Sequence, residues 1–423
     1  MKIHPNDLLL QELMLSLSQE QSAILDHLFS CESCRRRARE LRDQPSGSTG
    51  KLLGWSLHAY DKALERSLPD VNAHSRLLSQ ERAEAPALFV ELMQHPEAQR
   101  SLLLTNDPRF RTWGLFELLI ERTQETAGRD ALHAEEMGRL ALRLSEILEP
   151  MVYDADLIED LRGRAWIHIG NARRVRSDLS GSEEAFERAD ACLRQGTQDA
   201  VERAILLDAK SSLRRDQHSF DEAVKLTHRA VSIFLQHGHR HQAGRSLVKM
   251  STIHHMAGRI EAAMPLLYQA LELIDAEEEP RLLLCARHNL IDNLAEMGRF
   301  LEAQKLYRDT RPLYRDFPDG WIQNRRKWVR GKIAKGLGQT RLAESLFEAA
   351  RNGFLAEGIP YDTALVSLEL ATLYAEQSRM ADLRRLVREI VPIFSSLGIH
   401  REALAALACL KQVIEAERVS PTS

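Results

Sequence analysis

A repeat with a period of about 40 residues constrains this chain more than any other feature of its sequence. Four segments share a turn followed by a short alanine-containing stretch, and their key alanines are evenly spaced: Ala223, Ala263, Ala303 and Ala343. We call this spacing the repeat period. It continues to Leu383, and the boundaries between units keep it, at Gly238, Glu278, Pro318, Gly358 and Gly398. Self-similarity at a fixed period of this size is the signature of stacked structural units, so the chain is predicted to form an array of repeats.

Each unit is predicted to hold two helices. From Lys51 onward apolar residues recur at helical spacing, and no segment indicates a strand. A small residue, which lets the second helix of a unit approach the first, lies twelve positions before the key residue of the unit at Ser211, Ser251, Gly331 and Ala371, the last of these before Leu383. In an earlier unit Gly170 lies fifteen positions before Ala185. One unit carries Ile291 at this position, so the contact between its two helices is expected to be looser or differently packed.

These features resemble the tetratricopeptide repeat family over roughly residues 110–400. The resemblance implies an all-α, tetratricopeptide-like (TPR-like) α-solenoid, in which the first helices line a groove. The usual period of the family is about 34 residues, so the longer period seen from residue 200 onward implies longer helices or loops. An unrelated helical solenoid is the alternative interpretation.

The rest of the chain divides by composition. Residues 1–43 are charged and contain both His and Cys, and residues 44–50 read as a flexible linker of Pro, Gly and Ser. Residues 51–108 are predicted to form an irregular helical connector before the repeats of 109–400. Residues 401–423 are predicted to be a capping helix and tail.

The N-terminal residues carry a metal-binding pattern. His27, Cys31 and Cys34 have the spacing His-x3-Cys-x2-Cys, which keeps three side chains within reach of one ion. His4 can complete a tetrahedron if two antiparallel helices pack. Imidazole and thiolate ligands suit one structural Zn²⁺ with no open position. A redox-active cysteine pair and two buried core cysteines are the alternatives.

The same segment, residues 1–43, resembles the zinc-binding anti-sigma domain family. The resemblance rests on the His-x3-Cys-x2-Cys pattern of His27, Cys31 and Cys34 and on the upstream His4. It implies a module that docks onto a sigma factor and blocks polymerase binding. The zinc fold is also reused as a general interaction module.

The repeats are predicted to bind a protein or peptide along their first helices. Counting from the small residue of each unit places the groove-facing positions at Arg164, Asn171, Arg174, Asp208, Arg215, Arg245, His255, His288, Asp292, Arg325, Trp328, Lys332 and Lys335. This set is mostly basic and has one aromatic residue, which favours an acidic peptide or a peptide C-terminus. Alternatively, the arginines only solubilise a helix face.

Composition and missing motifs argue against other classes of protein. The net charge of −4 gives no global attraction to nucleic acid or anionic lipid, although the arginines of residues 35–42 leave DNA binding as a minor alternative. No apolar run reaches the roughly 20 residues of a membrane span, so a cytoplasmic location is expected. Residues 47–51 lack the full phosphate-loop pattern, and no nucleophile elbow or zincin motif occurs. The chain is predicted not to be an enzyme.

Two functional hypotheses follow from these observations. In the first, the chain is a protein-binding regulator or scaffold, whose zinc module docks a sigma factor and whose repeats bind another protein or an acidic peptide. In the second, it is a peptide-sensing or complex-assembly adaptor in which zinc is only structural and no sigma factor is bound.

Overall fold

A computed structural model describes Ser33, Cys34, Arg36, Arg37 and residues 73–396 of the chain. The chain divides into two compact units, Met1–Pro86 and Ala87–Ser423. The described residues form helices and turns, without a strand, so the predicted all-α class is confirmed. None of the described helices is both long and apolar enough to cross a membrane.

In the described part of the chain, helices are present before the regular repeats begin. Residues 73–93 are helical, and α1, Glu97–Asn106, and a 3₁₀ turn, Pro108–Phe110, follow. These helices lie inside the segment that was predicted to be an irregular connector.

Helical hairpins occupy the remainder of the described chain. Their first helices are α2 (Trp113–Thr126), α4 (Ala155–Val175), α6 (Ala200–Asp216), α8 (Arg240–Met256), α10 (Pro280–Glu296), α12 (Gly320–Gly336) and α14 (Pro360–Glu376). Their second helices are α3 (Ala131–Ile147), α5 (Leu179–Gln195), α7 (Phe220–Gln236), α9 (Ile260–Leu273), α11 (Phe300–Arg315), α13 (Thr340–Ala356) and α15 (Met380–Ser396). A short helical turn, Pro150–Tyr153, precedes α4. From α6 onward each first helix begins one repeat period after the previous one.

The turn inside each hairpin explains why the period is kept so strictly. One turn residue adopts a positive φ, at His218, Gly258, Gly298, Gly338 and Ser378, and these residues again follow the repeat period. In this left-handed conformation the chain can close the helix: Gln339 N–H donates to the Ala334 carbonyl at 2.9 Å. Glycine reaches the conformation without a steric cost, which is why it dominates these positions.

Small residues on the first helices allow the close approach of the second helices. A Cβ atom added to Gly331 would lie 2.5 Å from Cε1 of Phe347, and one added to Gly170 would lie 2.6 Å from Cε1 of Phe186. Ile291 is fully buried at the equivalent position, and α10 and α11 pack less closely than α12 and α13. The looser hairpin that the sequence predicts at Ile291 is thus observed.

The apolar core extends along the array, as in a repeat protein. One cluster of buried side chains runs from Ala204 on α6 to Ile333 on α12, and a second surrounds Phe347 and Phe354 on α13. Each hairpin therefore buries apolar side chains both between its own two helices and against its neighbours.

Candidate peptide-binding face

All groove-facing residues predicted from the sequence lie on first helices, from α4 to α12. We call the surface formed by α4, α6, α8, α10, α12 and α14 the first-helix face. Because successive first helices are about one repeat period apart, side chains separated by 34 to 42 residues become neighbours across it.

Most cations of the first-helix face are paired with carboxylates. The ion pairs between first helices and their flanking turns are Arg164–Glu202, Arg174–Asp216, Lys249–Asp208, Arg245–Glu279, Lys332–Asp292 and Lys335–Glu376. Arg215 also pairs with Asp216, at 2.7 Å. Asp208 and Asp292 are among the residues predicted from the sequence, whereas the other carboxylates of these pairs are not. Opposite charges about one repeat period apart were the signal that could have found them.

The most buried of these pairs joins α10 and α12. Lys332 Nζ lies 2.8 Å from Asp292 Oδ1 and 2.9 Å from Glu296 Oε1. Burial by itself would raise the pKa of Asp292 and lower that of Lys332, but each partner's charge outweighs burial. The net pKa of Asp292 is therefore lowered and that of Lys332 raised, so both stay charged.

Three potential metal ligands meet beside this pair. Ligand atoms of His255, Asp292 and Glu296 lie within 4.8 Å of one another. The Lys332 ammonium already bonds to both carboxylates. His255 is also bonded through Nδ1 to Asn293 Oδ1, at 2.7 Å. A cation here would have to displace Lys332, so the cluster fits an internal ion pair better than a metal site.

Arg325 differs from the other cations of this face. Among the described residues, no carboxylate lies within ion-pair distance of it. Its guanidinium carbon lies 5.3 Å from the ring centre of Trp321 and 5.8 Å from that of Trp328. Contact with two indole faces holds a cation in place without neutralising it. We call Trp321, Arg325 and Trp328 the Arg–Trp cluster.

A neutral histidine, His288, orients Arg325 through a hydrogen bond. Burial, reinforced by Arg325, lowers the pKa of His288 to about 3. The neutral ring accepts a hydrogen bond at Nε2 from Arg325 Nε, at 3.3 Å, and its Nδ1 lies 2.7 Å from Tyr314 Oη. Since arginine can only donate, the proton belongs on Nδ1, which donates to Tyr314. This chain of bonds positions the guanidinium.

The indole of Trp328 carries a donor without an acceptor. Its Nε1 is buried and has no hydrogen-bond partner among the described residues. The ring packs edge-on against Phe354, with ring centres 6.3 Å apart, and Lys332 Nζ lies 5.0 Å from the ring centre. By contrast, Trp321 Nε1 donates to Asp362 Oδ2 at 3.3 Å.

The predicted zinc ligands fall mostly outside the described residues. His4, His27 and Cys31 lie there, as do residues 44–50 and the predicted cap at 401–423. Cys34 is described: it is helical, and only 6% of it is exposed. A buried thiol at this position is compatible with both a metal ligand and a core cysteine.

The stacked hairpins with small first-helix residues define the class of this protein, a TPR-like α-solenoid. The sequence profile of the soluble NSF attachment protein (SNAP) family matches residues 165–311, about a third of the chain. Comparison with curated proteins gives no match.

Several solved structures share the fold at low sequence identity. A Rap protein in complex with competence and sporulation factor is 12% identical, with a TM-score of 0.55 over 72% of this chain and 87% of that one. Aspartyl phosphate phosphatase F from Bacillus subtilis is 11% identical, with a TM-score of 0.52 over 95% of this chain and 97% of that one. The apo form of RapI is 15% identical, with a TM-score of 0.50 over 70% of this chain and 99% of that one. These similarities establish the fold.

Proposed function

We propose that this chain is a non-enzymatic, protein-binding regulator or adaptor, whose first-helix face binds a peptide through a carboxylate at Arg325. The observation that carries the proposal is the Arg–Trp cluster, where a half-buried cation lacks a carboxylate among the described residues. Neighbouring cations such as Lys332 are already neutralised within the array.

The chemistry of the cluster favours a carboxylate of an extended peptide. A guanidinium offers two parallel N–H groups that match a carboxylate, and such charge-assisted bonds are roughly twice as strong as neutral ones. Trp321, which is 37% exposed, supplies an apolar surface beside the guanidinium. An acidic side chain and a free C-terminus both present this group.

Peptide arrays test the proposal directly. A library of acidic peptides, synthesised with free and with amidated C-termini, would be screened by tryptophan fluorescence and by binding to immobilised full-length protein. We expect selected peptides to bind. The Arg325→Gln substitution should lower their affinity by about tenfold or more, which corresponds to the loss of one charge-assisted hydrogen bond. Arg203→Gln, at an exposed position of α6, is the matched control.

Two results would contradict the proposal. One is that removing carboxylates from the bound peptides leaves their affinity unchanged. The other is that Arg325→Gln and Arg203→Gln bind equally well.

A second candidate function concerns the N-terminal residues. We propose that His4, His27, Cys31 and Cys34 hold one structural Zn²⁺ and that this module docks onto a sigma factor. The His-x3-Cys-x2-Cys pattern and its resemblance to anti-sigma domains support the idea. Four protein ligands would leave zinc no open position for catalysis.

Metal analysis combined with a binding assay separates the possibilities. One zinc per chain, lost in a His27→Ala and Cys31→Ser double variant, would support the metal site. Capture of a purified sigma factor by the intact protein but not by the variant would support docking. Zinc without sigma-factor binding would favour the adaptor with a structural zinc. Absence of zinc would exclude both the adaptor with a structural zinc and a zinc module that docks a sigma factor.

A further inference from the structure

A cavity lined by arginines lies between α11, α12 and the start of α13. Its volume is about 240 Å³. Four guanidinium groups line it, and Gln304, Tyr307, Ile333, Ala334, Gln339 and Leu342 complete the wall, without a carboxylate. The four arginines are Arg308 and Arg311 from α11 and Arg326 and Arg330 from α12. We call this cavity the arginine pocket.

The charges of the arginine pocket are not neutralised within the described part of the chain, where none of its four arginines forms an ion pair. Arg326 is fixed by neutral groups instead. Its Nε donates to Tyr307 Oη and its Nη1 to Gln323 Oε1, both at 3.1 Å. Its guanidinium carbon lies 5.6 Å from the ring centre of Tyr314. The group is therefore held at the cavity with its positive charge available.

Comparison with adjacent repeats shows that two of these arginines replace core residues. The positions one repeat period before and after Arg326 and Arg330 are apolar and buried: Ala286, Leu290, Val366 and Leu370. Arg326 is half-buried and Arg330 is exposed, so at this junction the two positions are no longer part of the apolar core, and both side chains line the cavity. Nothing in the repeat architecture requires this replacement, because the neighbouring hairpins stack without it.

The next junction along the array shows how such arginines are neutralised when the role is structural. Arg351, the equivalent of Arg311, pairs with Glu389 and donates to Ser367 Oγ. The position one repeat period before Glu389 is Ala349, which is exposed and has no charge to offer.

A second ion pair of the later junction has no counterpart at the arginine pocket, where both its arginine and its carboxylate are replaced by glutamine. Arg379 pairs with Glu344 at the later junction. The equivalent positions in the arginine pocket are the neutral Gln339 and Gln304. Carboxylates that balance the arginines of one junction are thus missing from the other.

We propose that the arginine pocket binds a phosphate monoester. The guanidinium groups around the cavity repel one another, and a multiply charged anion between them would reduce that repulsion. Arginine matches the oxygens of phosphate in a bidentate geometry. Ile333 and Leu342 line the same cavity and offer an apolar surface to the organic part of an ester. The site is separate from the Arg–Trp cluster and does not depend on the function proposed for it.

The test uses the full-length protein with inorganic phosphate and phenyl phosphate, at constant ionic strength. Binding is measured by calorimetry and by broadening of the ³¹P resonance, with acetate as the monoanionic control. Ala349→Glu supplies the carboxylate that the next junction has, at an exposed position, and is expected to retain the fold. Arg326→Ala with Arg330→Leu installs the residues of the preceding repeat.

We expect phenyl phosphate to bind more tightly than inorganic phosphate. Both pocket variants should lower the affinity for phenyl phosphate by about tenfold or more, which corresponds to the loss of at least one charge-assisted hydrogen bond. Arg229→Gln, an exposed arginine of α7, should bind like the wild type. Absence of phosphate binding, equal binding of acetate, or unchanged affinity in both pocket variants would overturn the proposal. Tighter binding of inorganic phosphate than of its ester would overturn the assignment to an ester.

Discussion

Single residues at the hairpin turns carry a measurable conformational cost. Gly338 and Ser378 occupy equivalent turns with φ of 72° and 58°. A Cβ atom in this left-handed region costs roughly 1–2 kcal/mol, which glycine avoids. Ser378 is exposed, and its backbone N–H bonds to the Ala375 carbonyl as the turn requires. Its side chain thus adds strain at a position where glycine would have none.

Exchanging the two turn residues should therefore have opposite effects. We expect Ser378→Gly to raise the free energy of unfolding by about 1 kcal/mol and Gly338→Ser to lower it by a similar amount. Urea denaturation followed by circular dichroism measures both. Changes of the same sign in the two variants would contradict the conformational argument.

His288 should make the stability of the array depend on pH. Its pKa is lowered to about 3 in the folded chain, while an unfolded histidine has a pKa of about 6.5. Between these values the unfolded chain binds a proton that the folded chain does not, so stability falls as the pH falls. Between about pH 7 and pH 4.5 we expect the free energy of unfolding of the wild type to fall by about 2 kcal/mol more than that of His288→Gln.

Urea denaturation at the two pH values measures this difference. His228→Gln changes an exposed histidine of α7 and should follow the wild type. Equal pH dependence in the wild type and in His288→Gln would show that His288 is protonated at no cost in the folded protein.

Pairs of helices are joined by buried charges as well as by apolar contacts. Lys332 and Asp292 connect α12 to α10, and both side chains are at most 14% exposed. Removing one member of a buried ion pair leaves the other charge without compensation, which typically costs about 3–5 kcal/mol. An exposed pair such as Arg188–Glu184 contributes roughly 0–1 kcal/mol.

A double-mutant cycle tests the role of the buried pair. We expect Lys332→Met to destabilise the array by about 3 kcal/mol and Lys332→Met with Asp292→Asn to recover part of that loss. Arg188→Met is the control and should change the unfolding free energy by less than about 1 kcal/mol. Additive effects of the Lys332 and Asp292 substitutions would mean that the two groups do not stabilise each other.

The stability of the whole array is expected to vary along its length. In a solenoid each hairpin is stabilised by its own packing and by its immediate neighbours. The α10–α11 hairpin has Ile291 where others have small residues, and it packs less closely than α12–α13. The arginine pocket follows directly at α11–α12. We therefore expect this region to be less stable than the α12–α13 hairpin.

Hydrogen exchange resolves such differences. We expect amides of α11 to exchange about tenfold faster than those of α13, which corresponds to about 1.4 kcal/mol of local stability. Mass spectrometry of peptides from 300–315 and 340–356 measures this in one sample. Equal protection of the two helices would show that the loose packing carries no energetic cost.

The sequence by itself determined the repeat architecture. The evenly spaced alanines, the turn glycines and the small residues at Gly331 and Ser251 encode local geometry, and local geometry recurs wherever the residues recur. The sequence also indicated which residues lie on the first-helix face, because helical periodicity fixes the direction of each side chain.

Only the tertiary structure decided which of those residues remain open to a ligand. Lys332 and Arg325 look alike in the sequence, yet one is neutralised by Asp292 and the other stands between two indoles. The arginine pocket was missed for the same reason, since its four arginines come from two helices. Charge pairing depends on distances between side chains of different helices, and stacking alone sets those distances.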